Sequence, residues 1–486
     1  MNNLNFLVDV LKDSPVFKTL EKNVKPGRTV CASGLSTINK SNIIYALCRL
    51  KGVTAFCLAS DEKEAQTLCN DLSCMGLRAY VYPVRDFNFL DFQSRSHEYE
   101  HARLKVLLKL LNHECDVAIA CVDAAAQLTV PRNVLEQSVI EFEEGRELSL
   151  EKATKALTLL GYERFDAVEG SGQFSLRGGI LDFFMPDSDY PVRCEFWGDE
   201  ITDLSYFDIE TQRRFKKADK ITLSPSTEIV IEDRATLADK IEHKAKLLRS
   251  KNSAKAKEKL FSEAELIRSG AMIANADKFI NQIYDKPESL FDYLDRNTLV
   301  FASEFTAIQE RGKSMDFISN ETLMQGFEDG TLCRGFDRFA LTFNECTEFL
   351  QSHGTIVLEN FVHGSMPIKL SEIISFSTKQ LSAWGGSYKQ LKEDVDGLFT
   401  PESKGVIFAG TERAAKNLCD TFNADGIKAV YSEGADKISK GELLVMQGAL
   451  SAGFEYPSQK FFAITYSQVS YLSLIHISEP TRRTPI

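Results

Sequence analysis

At 486 residues the chain is too long for one hydrophobic core and reads as two to four domains. Hydrophobic residues at 43% and charged residues at 26% are globular values, and no uninterrupted apolar run approaches the roughly 20 residues that span a bilayer. The opening MNNLNFLVDVLKDSPVF lacks the basic-then-apolar order of a signal peptide, and a net charge of −12 argues against a surface built mainly to follow phosphate backbones, so a cytoplasmic protein with no membrane partner is expected.

The first stretch alternates short apolar runs with helical periodicity: TVCAS, NIIYALCRLKG, VTAFCLAS, DEKEAQTLCNDLSCMG, RAYVYPV, HARLKVLLKLLNHE and DVAIACV. This is the rhythm of a parallel α/β sheet covered on both faces. After Pro131 a helix carried by Leu150, Ala153, Leu157 and Leu160 stops at Gly161, and three alternating strands follow, QFSLR, PVRCEFW and ITDLSYF, predicting a small antiparallel sheet backed by one helix. From about residue 215 helices are expected up to the strand TLVFAS, and a last α/β unit is expected from 351, starting with GTIVLEN. The basic run KIEHKAKLLRSKNSAKAKEK, starting at Lys240, reads as a solvated helix face.

Eleven cysteines sit mainly in apolar contexts, where reduced thiols pack as small core side chains, and Cys69 and Cys74 have no second pair at zinc-site spacing. Neither a disulfide framework nor a structural metal is expected.

Two motifs bear on catalysis. Gly34 opens GLSTINKS, one position away from the phosphate-binding pattern G-x-x-x-x-G-K-[ST], in the strand-to-helix context the pattern requires. Asn39 replaces the second glycine and puts a side chain where backbone amides would close on phosphates, leaving Lys40 and Ser41 to offer a charge and a hydroxyl. The strand expected to hold a magnesium-binding carboxylate ends instead in Ser303, with Glu304 behind it. His97, Glu98 and His101 spell H-E-x-x-H, but on a polar first helical turn with no evident third ligand, so no metal is assigned. More informative is PVRCEFW, whose alternation puts Val192, Cys194 and Phe196 on one face and Arg193, Glu195 and Trp197 on the other. Arg177, at the end of QFSLR, is expected to join that outward face. Trp and Arg are the residue types most enriched among interface hot spots.

Residues 161–214, GYERFDAVEGSGQFSLRGGILDFFMPDSDYPVRCEFWGDEITDLSYFDIETQRR, closely resemble the second domain shared by transcription-repair coupling factors and the excision-repair protein UvrB. The pieces RGGILDFF and FDIETQR carry the likeness. The coupling factors are favoured because the crossover YPVRDFNFLDFQSRSHEYEH is short where UvrB has a long DNA-wedging hairpin, and because the phosphate loop is degenerate; SFSTKQLSAWGGSYKQLKEDVDGL and GALSAGFEYPSQKFFAITY resemble their third domain. The resemblance implies an α/β multidomain protein. A UvrB-like domain with a degenerate P-loop (1–130 and 215–350) would carry an inserted small antiparallel α+β domain (131–214), and a separate α/β domain (351–471) would follow.

It further implies that two arginines and an aromatic residue bind UvrA, falling on Arg177, Arg193 and Trp197, where Trp197 stands in for the usual Phe. No catalytic residue and no cofactor are implied for this region. RNA polymerase and double-stranded DNA as partners, and ATP with magnesium as cofactors, would belong to the motor and polymerase-binding parts of a full-length member. The rival expectation is a diverged UvrB-like ATPase using Gly34, Lys40 and Ser41. Residues 472–482, LSLIHISEPTR, resemble a translated sequencing-library adapter, so 472–486 are expected to be non-native.

Overall fold

Apolar runs too short for a helix form buried strands, and the segments between them, apolar every third or fourth position, form the helices that cover them. The computed structural model describes residues 4–85, 97–248, 253–270, 276–361 and 366–466; the adapter-like segment at 472–482 and part of the crossover, 86–96, lie outside these. Strands β1 (Val30–Ser33), β2 (Ala55–Ala59), β3 (Ala79–Tyr82) and β4 (Val117–Cys121) alternate with helices Thr37–Lys51, Glu62–Cys74 and Glu98–Leu111. The chain then enters a small domain. It contains β5 (Ile140–Glu143), helix Leu150–Leu159, β6 (Glu163–Arg164), β7 (Gln173–Arg177), β8 (Ile180–Phe183), β9 (Val192–Trp197), β10 (Glu200–Phe207), β11 (Arg214–Lys217) and β12 (Lys220–Leu223). Helices Arg234–Leu247 and Ser253–Ser269 lead back to β13 (Leu299–Ser303), helices Phe305–Asp329 and Phe343–His353, β14 (Thr355–Leu358) and β15 (Glu372–Ser375). The last unit holds β16 (Lys379–Leu381), β17 (Lys404–Phe408), β18 (Ala429–Tyr431), β19 (Glu442–Met446), β20 (Gly453–Tyr456) and β21 (Phe461–Thr465).

The first sheet is parallel throughout, in the order β15-β1-β14-β13-β2-β4-β3. GTIVLEN therefore does not open the last unit: β14 lies between β1 and β13, and the first sheet takes in the chain as far as Ser375. All four residues of β14 are buried, so it needs a neighbour on each side, and the slot between β1 and β13 supplies both. Gly354, at φ +88°, lets the chain enter that slot, because a Cβ there would stand 2.7 Å from the backbone nitrogens of Gly27 and Arg28.

In the small domain the sheet order is β11-β10-β9-β8-β7-β6, antiparallel except for β6 beside β7, and β5 pairs with β12 in a two-stranded ribbon. Helix Leu150–Leu159 packs Ala153 and Leu157 against Phe174, Leu181, Val192, Cys194 and Phe196 on the inner face. Two features differ from expectation. The segment ILDF, not among the three strands expected, is β8 and separates β7 from β9; and residues beyond 215 continue as strands, with Ile221 and Leu223 of β12 in the small core. All four residues of β11 are exposed, so no apolar alternation marks that edge strand.

The insertion is fastened by a buried ion pair. Arg103, on helix Glu98–Leu111, donates from Nε and Nη2 to Glu228 at 2.6 and 3.3 Å, and from Nη1 to Gln127 and the Pro83 carbonyl. Both side chains are fully buried, the guanidinium lies 4.1 Å from the Tyr82 ring centre, and Thr129 donates to the same carboxylate. Replacing Arg103 with Met is expected to destabilise the protein by about 3 kcal/mol, since it removes the direct partner of a buried carboxylate and leaves, among the described residues, only Thr129 and the Arg85 guanidinium at 3.7 Å; an unchanged urea midpoint would contradict this.

Candidate functional site

The nucleotide-type loop is built and then closed from within. Gly34 has φ +79°, and a Cβ there would stand 2.2 Å from the Phe376 carbonyl oxygen. The Gly34 and Leu35 N–H groups donate to the carbonyls of Asn360 and Glu359 at 3.2 and 3.1 Å. The Lys40 ammonium is 2% exposed and donates to Glu304 at 2.6 Å, Ser303 at 2.8 Å and Glu64 at 3.2 Å. Two protein carboxylates thus stand where phosphate oxygens would meet this lysine. Burial opposes ionisation of Glu64, but the Lys40 charge and the Ser303 and Ser60 hydroxyls outweigh it and hold the carboxyl below its ordinary value. Burial and the neighbouring Glu304 push Glu359 up. Glu304 itself adopts φ +55° at the head of helix Phe305–Asp329.

Asn39 and Ser41 face a different neighbour. Ser41 Oγ donates to Asp71 at 3.3 Å, and the same buried carboxylate accepts from the Ser451 N–H and hydroxyl, each at 2.7 Å. The Tyr456 phenol of β20 lies beside the Asn39 and Asn42 amides, and all three side chains are buried. The loop helix is therefore a polar seam against the last unit.

His97 and His101 stack with ring centres 5.8 Å apart, His97 Nδ1 lies 3.0 Å from Glu100, and His101 fills the space a Cβ on Gly172 would need. Burial works against ionisation of Glu100, but His97, the Arg85 guanidinium and the Glu228 N–H outweigh it and hold the carboxyl down at about 2. No group of three or more His, Cys, Asp or Glu placed to hold a metal occurs among the described residues. On the basic helix, Lys240 donates to the Gln282 carbonyl and Lys244 to the Gly335 carbonyl.

The outward face of the small sheet is open. Strand register puts Ser175, Asp182 and Arg193 in one row and Arg177, Ile180 and Glu195 in the next, with Trp197 beyond. Arg177, Arg193 and Trp197 thus share one face, as alternation predicts. Trp197 is 81% exposed and the Arg177 side chain 51% exposed. Arg193 is different, with a side chain only 13% exposed. It donates to Asp182 from Nε at 2.7 Å and Nη2 at 2.8 Å, reaches the side chain and carbonyl of Gln212, and lies over the Phe207 ring at 4.4 Å. Its charge-assisted bonds to Asp182 push its pKa up. Arg177 Nη2 donates to the same carboxylate at 2.9 Å, so Asp182, 1% exposed, links both arginines. Asp182 and Gln212 were not anticipated from sequence; the signal for Asp182 was the Gly178-Gly179 pair, a hairpin turn that makes ILDF a strand. Beside them Arg214 pairs with Glu195 and Asp203, so the charges of this face balance.

Residues 140–229 match the family described as the UvrB interaction domain. The chain is 26% identical over 473 residues to the transcription-repair-coupling factor of Bacillus subtilis strain 168, covering 94% of this chain and 40% of that protein. It is 25% identical over 406 residues to the protein of that name from Staphylococcus epidermidis RP62A, covering 79% and 33%. The protein of that name from Staphylococcus aureus USA300 is 21% identical over 473 residues, covering 95% and 40%. The chain thus spans about two fifths or less of the length of these relatives. No helix among the described residues is long and apolar enough to cross a membrane.

Burial pushes the Asp71 carboxyl up to about 6, against the opposing pull of its serine donors. A carboxyl raised in the folded state favours folding below its unfolded value near 4, and that contribution is lost as pH rises through about 6. Relative to Asp71→Asn, the wild-type protein is expected to lose about 2 kcal/mol between pH 4 and pH 7. Parallel stability curves for the two proteins across that window would contradict it.

Proposed function

We propose that this chain, related over most of its length to the N-terminal part of transcription-repair-coupling factors, is an adaptor region that recruits UvrA to stalled RNA polymerase for nucleotide excision repair. The observation that carries the reading is the open face of the small sheet, where Trp197 and Arg177 stand exposed inside the segment matching the UvrB interaction domain. An indole and a guanidinium anchored on a rigid sheet lose little conformational entropy on docking. UvrA is the partner assigned to this face, with Arg177, Arg193 and Trp197 as the residues on which capture depends.

The region itself is assigned no catalysis. Supporting this, the loop amides at Gly34 and Leu35 and the Lys40 ammonium are bound to protein oxygens, and Ser41 faces Asp71. Binding a nucleotide would require breaking these contacts and stranding Glu64 and Glu304 beside phosphate charge. ATP, magnesium, double-stranded DNA and RNA polymerase are assigned to the remainder of a full-length protein, acting in the cytoplasm as a DNA translocase.

Replacing Trp197 with Ala is expected to weaken UvrA binding by about 2 kcal/mol, roughly thirtyfold in Kd, in a calorimetric titration. Undiminished affinity would remove the adaptor reading. In the same instrument ATP is expected to give no binding heat; tight binding abolished by Lys40→Ala would instead favour a UvrB-like ATPase.

A further inference from the structure

The three residues expected to form the docking face are not equivalent. A guanidinium has five N–H groups. On Arg193, Nε and one Nη2 hydrogen are taken by Asp182, the other Nη2 hydrogen by the Gln212 amide oxygen and one Nη1 hydrogen by the Gln212 carbonyl. One donor remains, and the Phe207 ring covers one face of the plane. A partner that gripped Arg193 with a carboxylate fork would have to pull it from an existing fork and leave Asp182, itself buried, holding Arg177 alone. Arg177 has the opposite arrangement: one bond to Asp182 orients it, and half of its side chain is open.

We propose that Asp182 is the positioning residue of the docking face, holding Arg177 and Arg193 in place, and that Arg193 acts from beneath as a brace while Arg177 and Trp197 make the open contacts. The proposal rests on the reading that this face docks UvrA. Gln212 completes the brace: it sits at φ +57°, the left-handed region, which turns both its carbonyl and its amide toward Arg193. The counter-surface is one that offers a carboxylate or carbonyl to the free edge of Arg177 beside an apolar seat for the indole. Because Arg177, Arg193 and Arg214 together balance Asp182, Glu195 and Asp203, recognition depends on the geometry of that pair of contacts and not on a net charge of the face.

The test is a double-mutant cycle on the whole chain, titrated with purified UvrA. Asp182→Asn is expected to lower affinity roughly tenfold, and adding Arg193→Ala to it to change affinity by less than about twofold, because both remove the same brace. Gln212→Ala, a partly exposed position, is expected to lower affinity roughly threefold with an unchanged melting temperature, and to have no effect in an Arg193→Ala background. Penalties for Asp182→Asn and Arg193→Ala that multiply in the double variant would overturn the proposal, since Arg193 would then touch the partner on its own account. If Asp182→Asn fails to fold, Gln212→Ala decides, and wild-type affinity for that variant overturns it. Wild-type protein that does not bind UvrA, or a Trp197→Ala variant that binds unchanged, would instead sink the docking reading itself.

Discussion

A buried charge has to be paired, and in this protein the pairing of Arg103 with Glu228 holds the architecture together. The guanidinium projects from the helix that follows the crossover, and the carboxylate comes from the segment by which the chain leaves the small domain. With both groups out of water, neither is tolerable alone. The pair therefore fixes where a domain of about 90 residues, 140–229, stands relative to the sheet that surrounds it in sequence. His101 against Gly172 and Glu100 against Thr227 and the Glu228 N–H lie along the same seam. On that helical turn His97 also stacks on His101 and lies 3.0 Å from Glu100.

The same economy of charge governs the two places where function could reside. At the nucleotide-type loop, Gly34 and Leu35 donate their N–H groups to the Asn360 and Glu359 carbonyls, Lys40 bonds to two carboxylates and Ser41 to Asp71. On the small sheet a carboxylate is spent in the opposite way. Asp182 orients two arginines without covering the outer one, so a rigid, partly prepaid contact surface faces solvent.

Much of this was legible in the sequence where a local signal is strong. Period-two alternation in PVRCEFW placed Arg193 and Trp197 on one face. Burial of continuous apolar runs such as VAIAC announced the parallel sheet. What was not legible depends on partners far along the chain. TIVL looks the same whether it opens a new domain or fills a slot between β1 and β13, and only the gap left by other strands decides. Asp182 was missed because ILDF, a four-residue strand, has no polar-apolar alternation, although the Gly178-Gly179 turn before it marked a hairpin. The near-burial of Arg193 follows from the cross-strand register with Asp182 and from the approach of Gln212, neither of which has a signature in one strand.

The claim on which the functional picture stands is that the outward face of the small sheet meets UvrA. Hydrogen–deuterium exchange of the whole chain, with and without saturating UvrA, reads that surface directly. Added protection should concentrate on peptides covering Gln173–Arg177, Ile180–Phe183 and the Val192–Trp197 strand with its following turn, and the loop at 34–41 should be unaffected. Protection that falls on the loop or the last α/β unit and spares those strands would contradict it.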